Sequence, residues 1–170
     1  MRKFLVLAVA GMVLVSSLAE AQGWRLYTYR DQGFAAQFPA EPTLITRNYQ
    51  TANGTAVTER QYSANSGGVL YTVAVADFRR TNPNENAVID EAANALIRLG
   101  KLTHDVSARV NWNYGREIRV VDAQGTSYTD AIFVANGKLF QLKVTYPAAN
   151  TDPNGSSGIH FFQQAFELLL

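Results

Sequence analysis

Two histidines, His104 and His160, and a scatter of carboxylates are what this chain offers for metal or acid–base chemistry, since it contains no cysteine. A zinc site here would draw most of its ligands from carboxylates. His104 is followed by Asp105, but neighbours on a strand point to opposite faces, so the two do not converge. His160 stands beside Phe161 and Phe162 on a short helical stretch, an ordinary setting for an exposed or hydrogen-bonded histidine. Glu59 and Asp130 fall within strand-like segments. Paired carboxylates can run acid–base chemistry when burial separates their proton affinities, yet nothing in the sequence brings these two together. No G-x-S-x-G, Walker or dinucleotide fingerprint occurs, and Gly155-Ser156-Ser157-Gly158 reads as a flexible approach to a helix. No catalytic, cofactor-binding or metal-binding residue is assigned.

The residues better suited to binding are Asp77, Arg79 and Arg80, where the chain leaves its most apolar strand, and Trp112, Tyr114 and Arg116, in a second long connection. Tryptophan, tyrosine and arginine dominate binding hot spots, and connecting segments carry function more often than cores do. The six form a candidate partner-binding surface if both connections meet at one end of a sheet. The competing account makes Trp112 a core residue that covers a sheet edge.

The strand that must position the first group runs from Val69 to Phe78 and is apolar on both faces until Asp77. A continuous apolar run marks an interior strand covered on both sides. A helix follows over Pro83 to Leu99, with Asn82 as N-cap and Gly100 as C′ residue. Its stripe of Val88, Ala92, Leu96, Ile89, Ala93 and Ile97 is small in the middle, which suits close packing against Ala74 and Ala76. Turn chemistry at Asn53-Gly54, Asn65 to Gly68, Asp122 to Gly125 and Asn136-Gly137 predicts hairpins. Leu139 to Tyr146 alternates as a strand covered on one side only. Trp24 to Tyr29 and Gly33 to Pro42 read as an aromatic-rich edge element, residues 102 to 116 as a strand or extended loop, and Ser157 to Phe166 as a second helix.

Arg2 and Lys3, the apolar run Phe4 to Val15, and Ala19-Glu20-Ala21 have the pattern of a secretory signal peptide spanning residues 1–21. The run falls short of the roughly 20 apolar residues that a membrane span needs. Cleavage after Ala21 would take 21 of 170 residues and leave 149, the size of one domain, residues 22–170. It would also remove two of 15 basic and one of 14 acidic side chains, leaving thirteen of each. A neutral chain without a basic stripe is a poor candidate for nucleic acid. The expectation is a soluble periplasmic or secreted protein with no transmembrane anchor, stabilised by packing rather than disulfides.

Trp24-x-x-Tyr27 followed by GFAAQFPAEP, the stretch Asn113-Tyr114-Gly115-Arg116-Glu117, and the closing FFQQAFEL from Phe161 to Leu168 together resemble small exported bacterial proteins of the PsbP-like, or DcrB-like, fold. The chain departs from that pattern at Asn111, where a glycine is common, and at Ala165, where a serine is usual. The resemblance implies an α+β fold, an antiparallel β-sheet flanked by helices as an α/β/α sandwich. It carries over no catalytic residues, and it implies a non-catalytic binding or assembly module with an envelope protein partner. A periplasmic hydrolase with a carboxylate or histidine site is the alternative. A small-molecule carrier, which would need an apolar pocket between sheet and helix, is another.

Overall fold

The computed structural model describes residues 23–51, 54–81, 83–110, 112–148 and 156–169. The expected leader, the Asn82 cap, Asn53 and Asn111 lie outside them. The chain builds β1 (Arg25–Tyr29), β2 (Phe34–Phe38), β3 (Thr43–Gln50), β4 (Ala56–Ser66), β5 (Val69–Asp77), α1 (Glu85–Ile97), β6 (Lys101–Val110), β7 (Asn113–Val121), β8 (Ser127–Ala135), β9 (Lys138–Tyr146), α2 (Ser156–Gln164) and β10 (Glu167–Leu168). Seven strands form one antiparallel sheet in the order β3-β4-β5-β9-β8-β7-β6, and β1-β2-β10 form a second, smaller one. The hairpin turns follow their residues. Gly67 and Gly68 join Ser66 to its partner Val69, and Asn136 and Gly137 join Ala135 to Lys138, with φ positive at all four positions, as a type I′ turn requires.

The central strands of the large sheet are buried on both sides, while the edge strands β3 and β6 are largely exposed. Val69, Tyr71, Val73 and Val75 of β5 enter one core with Phe140, Leu142 and Val144 of β9, and Ala76, Phe78 and Leu139 enter another. β5 is therefore interior, as its composition requires, although the true middle strand is β9. Cover on one side only does not hold for β9: Leu139 and Gln141 on its second face are buried, and Lys143 and Thr145 are half-buried. The helix over neighbouring β8 supplies part of that second cover.

Trp24 to Pro42 is not an edge element. β1 and β2 leave the large sheet altogether and lie with β10 and α2 across its first face, where Phe34, Ala36 and Phe38 of β2 join Ile159, Phe162 and Phe166. Lys138 of β9 fastens this layer by donating from Nζ to the carbonyls of Asp31 and Gln32, at 3.3 and 2.8 Å.

α1 covers the second face. Its N-cap is Asn84, whose side chain accepts the Ala87 N–H at 3.1 Å, so the helix starts later than the Pro83 position suggests. Val88, Ile89, Ala92 and Ala93 are buried, as the stripe predicts, and share a core with Ala76 as expected, but Ala74 is not part of that core and the helix packs mainly on β7 and β8. Ile118, Val120, Ile132 and Val134 form the seat. Gly100 does not take the left-handed C′ conformation. It is small for another reason, since a Cβ there would lie 2.3 Å from the Val121 carbonyl oxygen. Residues 101–110 form β6, an exposed edge strand paired with β7, and Gly115 of β7 leaves no space for a Cβ, which would meet the Ile132 carbonyl oxygen at 2.1 Å.

Candidate functional site

α1 sits over β7 and β8, so the same face of β4 and β9 opens into a groove of about 410 Å³ beside the helix. The wall is apolar, made by Ala92, Ala95, Leu96 and Leu99. The floor is polar. Register explains why: Gln61 pairs with Ala74 and Ala74 with Gln141, while Lys143 pairs with Asp130 across the β8–β9 ladder. Residues directly opposite in a ladder share a face. Glu59, two residues from Gln61, falls on that face as well.

Asp130 is the centre of this floor. It is 0 % exposed, its Oδ2 accepts the Gln141 side-chain amide at 2.8 Å, and its Oδ1 has no hydrogen-bond partner among the described residues. Burial pushes its carboxyl up to about 6 against the pull of Lys143 and Gln141, with the negative charge of Glu59 adding to the rise. Glu59 is itself buried and accepts the Gln61 amide at 2.7 Å. Tyr49 of β3 borders the groove, its phenol pushed up to about 12 by burial and by Glu91, Glu59 and Asp130. A buried carboxyl poised near neutrality can exchange a proton or hold a cation. No group of three or more potential metal-ligating side chains occurs among the described residues.

The residues singled out for binding are placed differently. The ends of β5 and β7 that carry Asp77 and Trp112 do lie at one end of the sheet, as the antiparallel registers dictate. They are separated by β9 and β8, roughly 14 Å of inter-strand spacing. Asp77 and Arg79 close on each other at 2.5 Å, and the Arg79 hydrogen bond holds the Asp77 carboxyl down at about 2. Arg80 is exposed. At the other tip Trp112 is 87 % and Tyr114 67 % exposed, with the Arg109 guanidinium 4.2 Å above the Tyr114 ring. Arg116 is drawn away from them, bridging Asp90 of α1 and Asp105 of β6 at 2.7 Å each. The core account of Trp112 is thus overturned. Trp112→Ala should change stability in urea by less than about 0.5 kcal/mol, whereas a loss of several kcal/mol would mean that the side chain is covered in solution.

His104 lies 3.7 Å from Glu117, and His160 is exposed on α2; neither reaches the groove. The groove is what sequence reasoning missed. Glu59 and Asp130 are both visible as charges inside strands, but only the strand order brings them to one face. Gln141 belongs with Lys143 and Thr145 to the polar half of the β9 alternation, so it gives no separate signal.

No protein-family model and no curated protein matches the sequence. The fold is nevertheless similar to that of cyanobacterial PsbP (CyanoP) from Synechocystis sp. PCC 6803, whose solution structure aligns with a TM-score of 0.57 and 11 % sequence identity over 95 % of this chain and 98 % of that one. The chain has the PsbP-like fold.

Proposed function

We propose that this PsbP-like chain is an exported, soluble, non-catalytic binding module, and that the groove beside α1 is its binding site. One observation carries the reading: a fully buried carboxylate with an unpartnered oxygen lies in the floor of an open groove. Uncompensated buried polar atoms cost stability, and a ligand that supplies the missing partner recovers that cost on binding. The apolar wall beside a few convergent polar groups is the ordinary composition of a ligand site. The test uses residues 22–170 incubated with envelope extract and examined by native mass spectrometry. Wild type should retain a ligand that Ala95→Trp, which fills the groove from an exposed wall position, does not retain, at unchanged Tm. Equal retention by both removes the groove from the proposal. Export is checked by fractionating cells that express the tagged full-length chain; cytoplasmic recovery at full mass would contradict it.

A hydrolase is the second reading, favoured by two carboxylates, Glu59 and Asp130, on the lining of one groove and by the raised Asp130 proton affinity, a combination that suits a general acid. It requires Asp130→Asn to abolish turnover of some chromogenic ester or glycoside. No turnover by wild type across such a panel sets this reading aside.

A further inference from the structure

We infer that the groove takes a small organic cation, an alkylammonium or alkylguanidinium, with its head on Asp130 and its stem along α1. The inference rests on the groove being the binding site and assigns that site a ligand chemistry.

The Asp130 oxygen that lacks a partner is an acceptor, so the missing group is a donor. Its neighbours decide the charge of that donor. The carboxylates of Glu59 and Asp130 and the ammonium of Lys143 line the same groove, and both Glu59 and Lys143 act on Asp130 through their charge; two negative groups against one positive leave the site short of a cation. Glu91 of α1 adds negative potential at Tyr49. Tyr128 offers little competition, because its hydroxyl is committed to Asp122 Oδ2 at 3.0 Å. Lys143 acts on Asp130 through its charge but leaves Oδ1 unpartnered. An anionic head would meet both carboxylates. A neutral hydroxyl would supply a hydrogen bond without relieving the charge, whereas an ammonium or guanidinium adds the opposite charge to that bond.

The wall fixes the rest of the ligand. Ala92, Ala95, Leu96 and Leu99 present about two helical turns of aliphatic surface, which suits an unbranched stem rather than a second polar end. The volume of about 410 Å³ lies within the usual range for small-molecule sites. The same chemistry can come from a free amine or from a lysine or arginine side chain of a partner.

The experiment titrates hexylamine, hexylguanidine, hexanol and hexanoate into the ¹⁵N-labelled chain 22–170 and follows amide shifts. Both cations should bind saturably, shift Ala92 to Leu99 and the Asp130 region, and bind at least tenfold more tightly than hexanol, with hexanoate weaker still. Asp130→Asn should weaken the cations at least tenfold and leave hexanol unchanged; Glu59→Gln should weaken them less and serves as the check if Asp130→Asn folds poorly. Hexanol or hexanoate matching the amines, cation binding indifferent to both substitutions, or no saturable cation binding at millimolar concentration would each overturn the inference. A peptide centred on lysine or arginine that outbinds hexylamine assigns the cation to a partner chain. Failure of the ligand chemistry is distinguishable from failure of the site. If both cations fail while an envelope ligand is retained by wild type and lost in Ala95→Trp, the ligand chemistry is wrong and the groove is still the binding site.

Discussion

Phe34→Ala is expected to destabilise the protein by about 3 to 5 kcal/mol, a loss large enough to consume much of the stability of an ordinary domain. Phe34 is 0 % exposed and touches both layers at once. Its ring stacks on Phe166 at 5.6 Å and meets Tyr29, Tyr62 and Phe140 at centroid distances of 4.9, 5.4 and 6.3 Å. Truncation would leave a cavity between β2, β9 and the segment after α2, walled by aromatic rings too rigid to collapse into it. Urea denaturation of the 22–170 chain gives the measurement. Leu26→Ala on the outer side of the small sheet, where the side chain is 61 % exposed, is the control and should cost less than about 0.5 kcal/mol. A small effect of Phe34→Ala would mean that the small sheet is only loosely docked, and that the aromatic core it shares with the large sheet is two cores rather than one.

That core shows how far residue pattern reaches. The alternation of Phe34, Ala36 and Phe38 identifies the buried face of β2 correctly, and along β5 Val69, Tyr71, Val73 and Val75 enter one core while Ala76 and Phe78 enter the other, although Leu70 at the far end of the second face is exposed. Alternation is a local property, fixed by the pleat. What lies on the far side of each face is not local. Whether Trp24 to Pro42 edges the large sheet or crosses it depends on long-range packing of Phe34 and Phe38 with Phe162 and Phe166, contacts far apart in the chain. α1 illustrates the same limit: its apolar stripe is legible, but its seat depends on which strands stand beside β9. The expected binding surface meets a related obstacle. Trp112, Tyr114, Asp77 and Arg79 do share one end of the sheet, yet strand order sets them apart, and Arg116 is claimed by Asp90 and Asp105. The groove inverts the case. Glu59, Asp130 and Gln141 come from three different strands, so no window of sequence could display them together.

Asp130→Asn is expected to make the protein more stable at neutral pH, an advantage over wild type that shrinks as the pH falls. The Asp130 carboxyl moves from an ordinary 3.8 to about 6 on folding, chiefly through burial, opposed by Lys143 and Gln141 and reinforced by Glu59. Below pH 3.8 the proton is bound in both folded and unfolded chains, and the group places no charge in the interior. Between 3.8 and about 6 the folded chain holds a proton that the unfolded chain has released, so stability from this group falls as pH rises. Above about 6 the loss is complete, and a shift of about two pH units corresponds to about 3 kcal/mol. Asparagine keeps an acceptor for Gln141 and carries no charge, so the variant avoids this loss. The stability difference between variant and wild type, followed by denaturation from about pH 4 to about pH 7, should therefore grow by up to about 3 kcal/mol in favour of the variant. Asp77 titrates near 2, outside this window, and is unchanged between the two proteins. A flat difference would mean that Oδ1 finds a donor in solution, and the case for an uncompensated carboxylate would fall with it. The informative result is the pairing of two readouts. A buried carboxylate kept for structure should lose stability when it is neutralised, whereas one kept for a ligand should gain stability and lose the ligand together, as destabilised binding sites do.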